Sequence, residues 1–143
     1  TLGKLRPASQ VNTELAMKAT GRFGGHIVQG HIDGVATIRA IERKGQFADI
    51  KFAAGSELLD QMVANGSVAV DGISLTIANM NENDFTVALI PETLRKTTLG
   101  AARIGDMVNI EIDIIAKMIK KQLEKILPTE QKLTAERLKE LGF

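Results

Sequence analysis

Both histidines of the chain, His26 and His31, fall within Gly24-Gly25-His26-Ile27-Val28-Gln29-Gly30-His31-Ile32-Asp33-Gly34, together with four of its 13 glycines. An imidazole titrates near neutral pH, so either histidine can serve as a proton shuttle if a substrate comes within reach. The other role open to each is structural, as a ring bonded to backbone carbonyls. Ile27, Val28 and Ile32 are β-branched, and the stretch is expected to be a kinked strand. An offset of five sends the two rings to opposite faces of a regular strand, and a bulge at Gly30 would realign them. With no His-Glu-x-x-His pattern and no cysteine, a metal site is not expected.

A second group is Asp71-Gly72-Ile73-Ser74-Leu75-Thr76-Ile77. Period two puts Ile73, Leu75 and Ile77 on one face and the hydroxyls of Ser74 and Thr76 on the other. That hydroxyl face is either the solvated outside of a sheet or a row that hydrogen-bonds a polyol or a heterocycle edge, since a hydroxyl both donates and accepts. A third group, Ala88-Leu89-Ile90-Pro91-Glu92-Thr93-Leu94-Arg95-Lys96-Thr97, leaves a strand through Pro91 and starts a helical turn. Proline suits the first helical position, where free N–H groups can face an acceptor-rich ligand. No P-loop, dinucleotide fingerprint or nucleophile elbow occurs.

These groups need elements to hold them. Val35–Arg43 and Phe47–Ala53, joined by Lys44-Gly45-Gln46, read as a hairpin. Ser56–Ala64 has helical spacing, with Ser56 available as N-cap and a stop at Asn65-Gly66. Ser67–Val70, Ile73–Met80, Phe85–Ile90 and Met107–Ile112 are four further strands. About six short strands point to an antiparallel barrel or sandwich, and so few close best as a small barrel. Beyond them Ile112, Ile115, Ile119 and Ile126 keep the spacing of a helix face between Asp113 and Pro128, and a second helix is expected from Thr134 to Leu141. The isoleucine stripe packs either on its own barrel or on a partner helix.

Composition narrows the functions. A net charge of +1 offers no basic face, and with five Phe but no Trp or Tyr there is little to stack bases on, so nucleic acid is not an expected partner. The absence of cysteine fits a reducing compartment. No apolar run approaches the roughly 18 residues of a membrane span and no signal peptide is evident, so a cytoplasmic protein without membrane contact is expected. The chain also repeats itself. At an offset of 97, Thr1–Glu14 matches Thr98–Glu111 at seven of fourteen positions (Thr, Leu, Gly, Arg, Val, Asn and Glu). Thr1–Glu14 therefore reads as the end of one unit that precedes a second, complete one.

Gly24 to His31, Asp71 to Thr76 and Ile90 to Leu99, in that order, resemble the C-terminal half of the riboflavin synthases, and the resemblance runs from Thr1 to about Lys117. It implies a mainly β fold, a six-stranded antiparallel Greek-key closed barrel with short inserted helices and a C-terminal helix. It implies residues 1–18 as the last strand and linker of a preceding barrel, 19–112 as a lumazine-binding barrel, and 113–143 as a helical oligomerisation segment. The implied reaction uses no cofactor or metal: two molecules of 6,7-dimethyl-8-ribityllumazine exchange a four-carbon unit, giving riboflavin and a ribitylamino-pyrimidinedione. The resemblance places the substrate against Gly30, His31, Ile32, Ser74, Leu75, Thr76, Ala88, Leu89, Ile90, Pro91, Glu92 and Thr93, with Asn65 reaching in from an adjacent chain of a homotrimer. His31, His26, Asp71 and Ser74 are the candidate catalytic groups, and the base is left open among His31, His26, Asp71 and a ribityl hydroxyl of the substrate. The sequence departs from the family pattern in lacking the first barrel. A non-catalytic lumazine- or flavin-binding protein of the same fold is the alternative, and an oligomerisation module, resting on the C-terminal helix alone, is a third reading.

Overall fold

Alternating strands have one wet and one dry face, and here the dry faces close on one another. The computed structural model describes residues 3, 5–16, 18, 20–22 and 24–126. Its strands are β1 (Gly34–Lys44), β2 (Phe47–Ala53), β3 (Ser67–Val70), β4 (Ile73–Met80), β5 (Asp84–Leu89) and β6 (Met107–Ile112). The helices are α1 (Ser56–Leu59), α2 (Pro91–Lys96) and α3 (Ile114–Ile126), with a 3₁₀ turn at Thr98–Ala101. The strands form a closed antiparallel barrel in the order β1-β2-β5-β4-β3-β6. β3, β4 and β5 make a meander and β6 returns beside β3, which is a Greek key. The expected fold is thus the observed one.

The interior is filled by every second residue. Ala36 and Ile38, Ile50 and Phe52, Val68 and Val70, Ile77, Phe85 with Val87 and Leu89, and Val108 with Ile110 and Ile112 are all buried. Phe52 and Phe85 face each other across β2 and β5, with ring centroids 5.1 Å apart and stacked. Leu58, Leu59 and Met62 after β2 and Leu99 after α2 complete the cluster. The β3–β4 hairpin turns through Asp71 (φ 46°) and Gly72 (φ 79°). Positive φ at both central residues is the type I′ geometry that Asp-Gly favours. The Asp71 carboxylate accepts the Asn109 N–H at 2.8 Å, tying this turn to β6.

Some expectations need correction. Gly24–Asp33 is not a strand. Its β-branched residues suit one, but β6, against which it lies, is already paired with β1 on one side and β3 on the other. Instead the stretch crosses the outer face of the barrel: Gln29 and Gly30 donate their N–H groups to Glu111, and His26 meets Ser74. Helix α1 ends at Leu59 and is capped by Gly55, not Ser56, with no side-chain capping bond. β5 ends at Leu89, one residue short of the expected Ile90. Ile112 belongs to the barrel interior, not to the helix stripe. The helix expected from Thr134 to Leu141 lies outside the described residues.

Two further segments lie against the barrel. Asn12 in the N-terminal arm donates from Nδ2 to the Asp71 carbonyl (3.0 Å) and to Thr98 Oγ1 (2.9 Å), and its Oδ1 accepts the Thr98 N–H (2.9 Å). Between this arm and the barrel is a cavity of about 680 Å³. α3 starts where Asp113 accepts the Ile115 N–H, and Lys117 Nζ pairs with Asp33 at 2.7 Å. The rest of its apolar face stands out: Ile115, Met118, Ile119, Leu123 and Ile126 are exposed, Ile126 by 70%.

Candidate functional site

The I′ turn at Asp71-Gly72 fixes the register of β3 on β4, setting Ser67 opposite Thr76 and Ala69 opposite Ser74. Since Val68 and Val70 point inward, Ser67 and Ala69 point outward beside the two hydroxyls. On the next strand Ala88 is outward and exposed, and Ile90 (55% exposed) and Thr93 follow as the chain enters α2. Together with Gly24, Gly25 and His26 crossing above, these residues and Leu75 line a pocket of about 290 Å³ on the outside of the barrel.

His26 is the titratable residue of the pocket lining. Its Nδ1 lies 2.8 Å from Ser74 Oγ. Its backbone N–H also points to that oxygen, at 3.4 Å. The other ring nitrogen, Nε2, is buried and has no hydrogen-bond partner among the described residues. A buried polar atom left unpaired costs free energy. The approach depends on Gly25, because a Cβ at that position would lie 2.3 Å from Ser74 Oγ.

Of the positions expected to form the site, the structure brings Ser74, Leu75, Thr76, Ala88, Ile90, Thr93 and His26 together. Gly30, His31 and Ile32 lie outside the pocket lining and are exposed. Leu89 is 1% exposed and faces the barrel interior. Pro91 holds the first position of α2 without lining the pocket. Glu92 pairs with Lys96 and Arg95, and their hydrogen bonds hold its carboxyl below the usual range. Asn65 sits in the turn before β3 with φ 63°, its N–H donated to the Ile77 carbonyl at 2.8 Å. Asp71 lines the larger cavity beside the N-terminal arm, and burial pushes its carboxyl up from 3.8 against the opposing hydrogen bond from Asn109. Gly24, Gly25 and Ser67 were not anticipated. Ser67 was recoverable from the Asp-Gly turn, because a two-residue loop dictates which residues stand opposite.

A lumazine binding domain family model matches residues 29–113. Among solved structures, LumP complexed with riboflavin superposes with a TM-score of 0.60 at 23% identity, over 67% of this chain and 53% of that one. LumP complexed with 6,7-dimethyl-8-(1'-D-ribityl) lumazine gives 0.57 at 18% identity, over 61% and 48%. The class is therefore that of lumazine-binding barrel domains. The riboflavin synthases of Bacillus subtilis (strain 168) and Actinobacillus pleuropneumoniae are 42% and 41% identical, each over 145 residues covering 100% of this chain and 67% of that protein. Riboflavin synthase of Mycobacterium tuberculosis is 41% identical over 84% of this chain and 61% of its own length. The chain belongs to the riboflavin synthase family.

Proposed function

We propose that the pocket on β3, β4 and β5 holds one 6,7-dimethyl-8-ribityllumazine and that the barrel contributes one of the two substrates of riboflavin synthase. In that reaction two lumazines exchange a four-carbon unit, giving riboflavin and 5-amino-6-ribitylaminopyrimidinedione. The observation that carries this reading is the pocket itself. Four hydroxyls and an imidazole line it beside aliphatic side chains, in a chain that shares 41 to 42% identity with riboflavin synthases over its whole length. A flat ring can lie on Ala88 and Ile90, while Ser67, Ser74, Thr76 and Thr93 reach ring or ribityl oxygens. At about 290 Å³ the pocket is at the lower end of the roughly 300–1,000 Å³ usual for small-molecule sites, as suits a half-site whose second wall is another bound ring.

Riboflavin formation requires a proton to leave the C7 methyl of one lumazine. Of the groups considered as its base, His26 is the one that lines the pocket, with Nδ1 2.8 Å from Ser74 Oγ. Residues 1–18 are read as the end of a preceding barrel, 19–112 as the lumazine-binding barrel and 113–143 as an oligomerisation segment. The exposed apolar face of α3 fits a homotrimer in which two barrels meet. Among the described residues no helix is long and apolar enough to cross a membrane. A cytoplasmic location is part of the same reading.

Mixing the chain with the lumazine and following absorbance and fluorescence tests the proposal. Saturable uptake of one ligand per barrel is the expected result, and no uptake at high ligand concentration would overturn it. Uptake with no riboflavin, even when a two-barrel relative is added, would favour the non-catalytic carrier.

A further inference from the structure

Glu111 is the one buried charged residue of the described chain, 3% exposed, and the reaction outlined above makes no use of it. It lies on β6 and points out of the barrel, since Ile110 and Ile112 on either side point in. Both carboxylate oxygens are engaged by backbone: Oε1 accepts the Gln29 N–H at 2.7 Å and Oε2 the Gly30 N–H at 2.9 Å. Gly30 adopts φ +80°, a conformation natural to glycine. A carboxylate is costly to bury unless its oxygens are satisfied, and bonds to a charged acceptor are about twice as strong as neutral ones.

The sheet register links this clamp to the pocket. Ala69 pairs with Glu111 on one side and with Ser74 on the other, so Glu111, Ala69 and Ser74 form one outward row across three strands. Strands lie about 4.8 Å apart, which separates the two ends of the row by roughly 10 Å. Three residues of extended chain also span about 10 Å, the step from His26 to Gln29. The segment from His26 to Gly30 is thus held at one end by Ser74 and at the other by Glu111. Ala69, 1% exposed, supplies a side chain small enough to lie beneath it.

We propose that Glu111 is a positioning residue for the pocket: by clamping Gln29 and Gly30 it holds the strap that places His26 against Ser74. It touches no ligand and acts through the strap. The proposal rests on the lumazine-binding reading only for its effect on affinity. Its effect on the strap is independent of any ligand.

The test is Glu111→Gln in the full chain. Glutamine keeps the size of the side chain but offers one acceptor and one donor to two N–H groups. With 6,7-dimethyl-8-ribityllumazine as the probe, the dissociation constant is expected to rise about tenfold. In the ligand-free protein, the Gln29 and Gly30 amides should lose exchange protection and the His26 ring nitrogens should shift, while the amides of Val68, Ile77 and Val87 stay protected. A folded variant with unchanged His26 ring signals and unchanged affinity overturns the proposal. If the wild-type chain takes up no lumazine, the binding reading fails and the ring and amide signals alone decide. Should the glutamine variant not fold, Glu111→Asp, which keeps the charge but is one methylene too short to reach both amides, is read the same way.

Discussion

Ser74 Oγ has two duties, holding His26 Nδ1 and facing the pocket, whereas Thr76 has only the second. The pair Ser74→Ala and Thr76→Val is therefore expected to weaken lumazine binding by about 1 to 3 kcal/mol, the cost of two lost ligand bonds and a released imidazole. A fluorescence titration reads it directly. Asp71, a candidate catalytic carboxyl by resemblance, lies at the β3–β4 turn and accepts the Asn109 N–H. Burial raises its pKa above the ordinary 3.8, so the folded state holds that proton more tightly than the unfolded chain. Its contribution to stability is fully present below that ordinary value and is lost as pH rises through the raised one. In Asp71→Asn the amide oxygen can still accept the Asn109 N–H and the titration is gone. The stability difference should shift in favour of the variant as pH rises through this window, then level off. Urea midpoints of both proteins from about pH 3 to pH 7 test the sign.

Elements were legible where local chemistry decides them. Asp71-Gly72 announces its own turn and, through it, the pairing of β3 with β4, which is half of the pocket floor. Pro91 announces the start of α2. Gly24–Asp33 was misread because propensity describes a residue's backbone preference and not whether a neighbouring strand has room, and the barrel was already closed. For the same reason spacing could not choose between His26 and His31. The contact that sets His26 in the pocket lining reaches across 48 residues to Ser74. Helix α3 was read from its isoleucines, and its face is exposed, which settles that Ile115, Ile119 and Ile126 do not pack deeply on this barrel. Ending the chain after Asp113 should leave the barrel folded, since the interior cluster contains no residue of α3. The truncated protein should sediment as a smaller assembly than the 143-residue chain.

Across the whole molecule, chemistry depends on bringing two rings together, and positioning of this kind supplies much of a bimolecular rate. This polypeptide spans about two thirds of the length of its riboflavin synthase relatives and its described residues form one barrel. Its turnover alone is expected to be at least about 100-fold below that of a two-barrel relative while ligand uptake is retained, and parallel binding and rate measurements separate the two. The closed sheet adds a constraint of its own. Every strand has a hydrogen-bonded neighbour on each side, which leaves only short stretches paired on one side alone, such as residues 39–44 of β1, for an extended peptide to add to. Among the described residues a neighbour is then recognised mainly by side chains, through surfaces such as the bare α3 face. Self-association of this protein should accordingly respond to single surface substitutions and resist competition by strand-mimicking peptides.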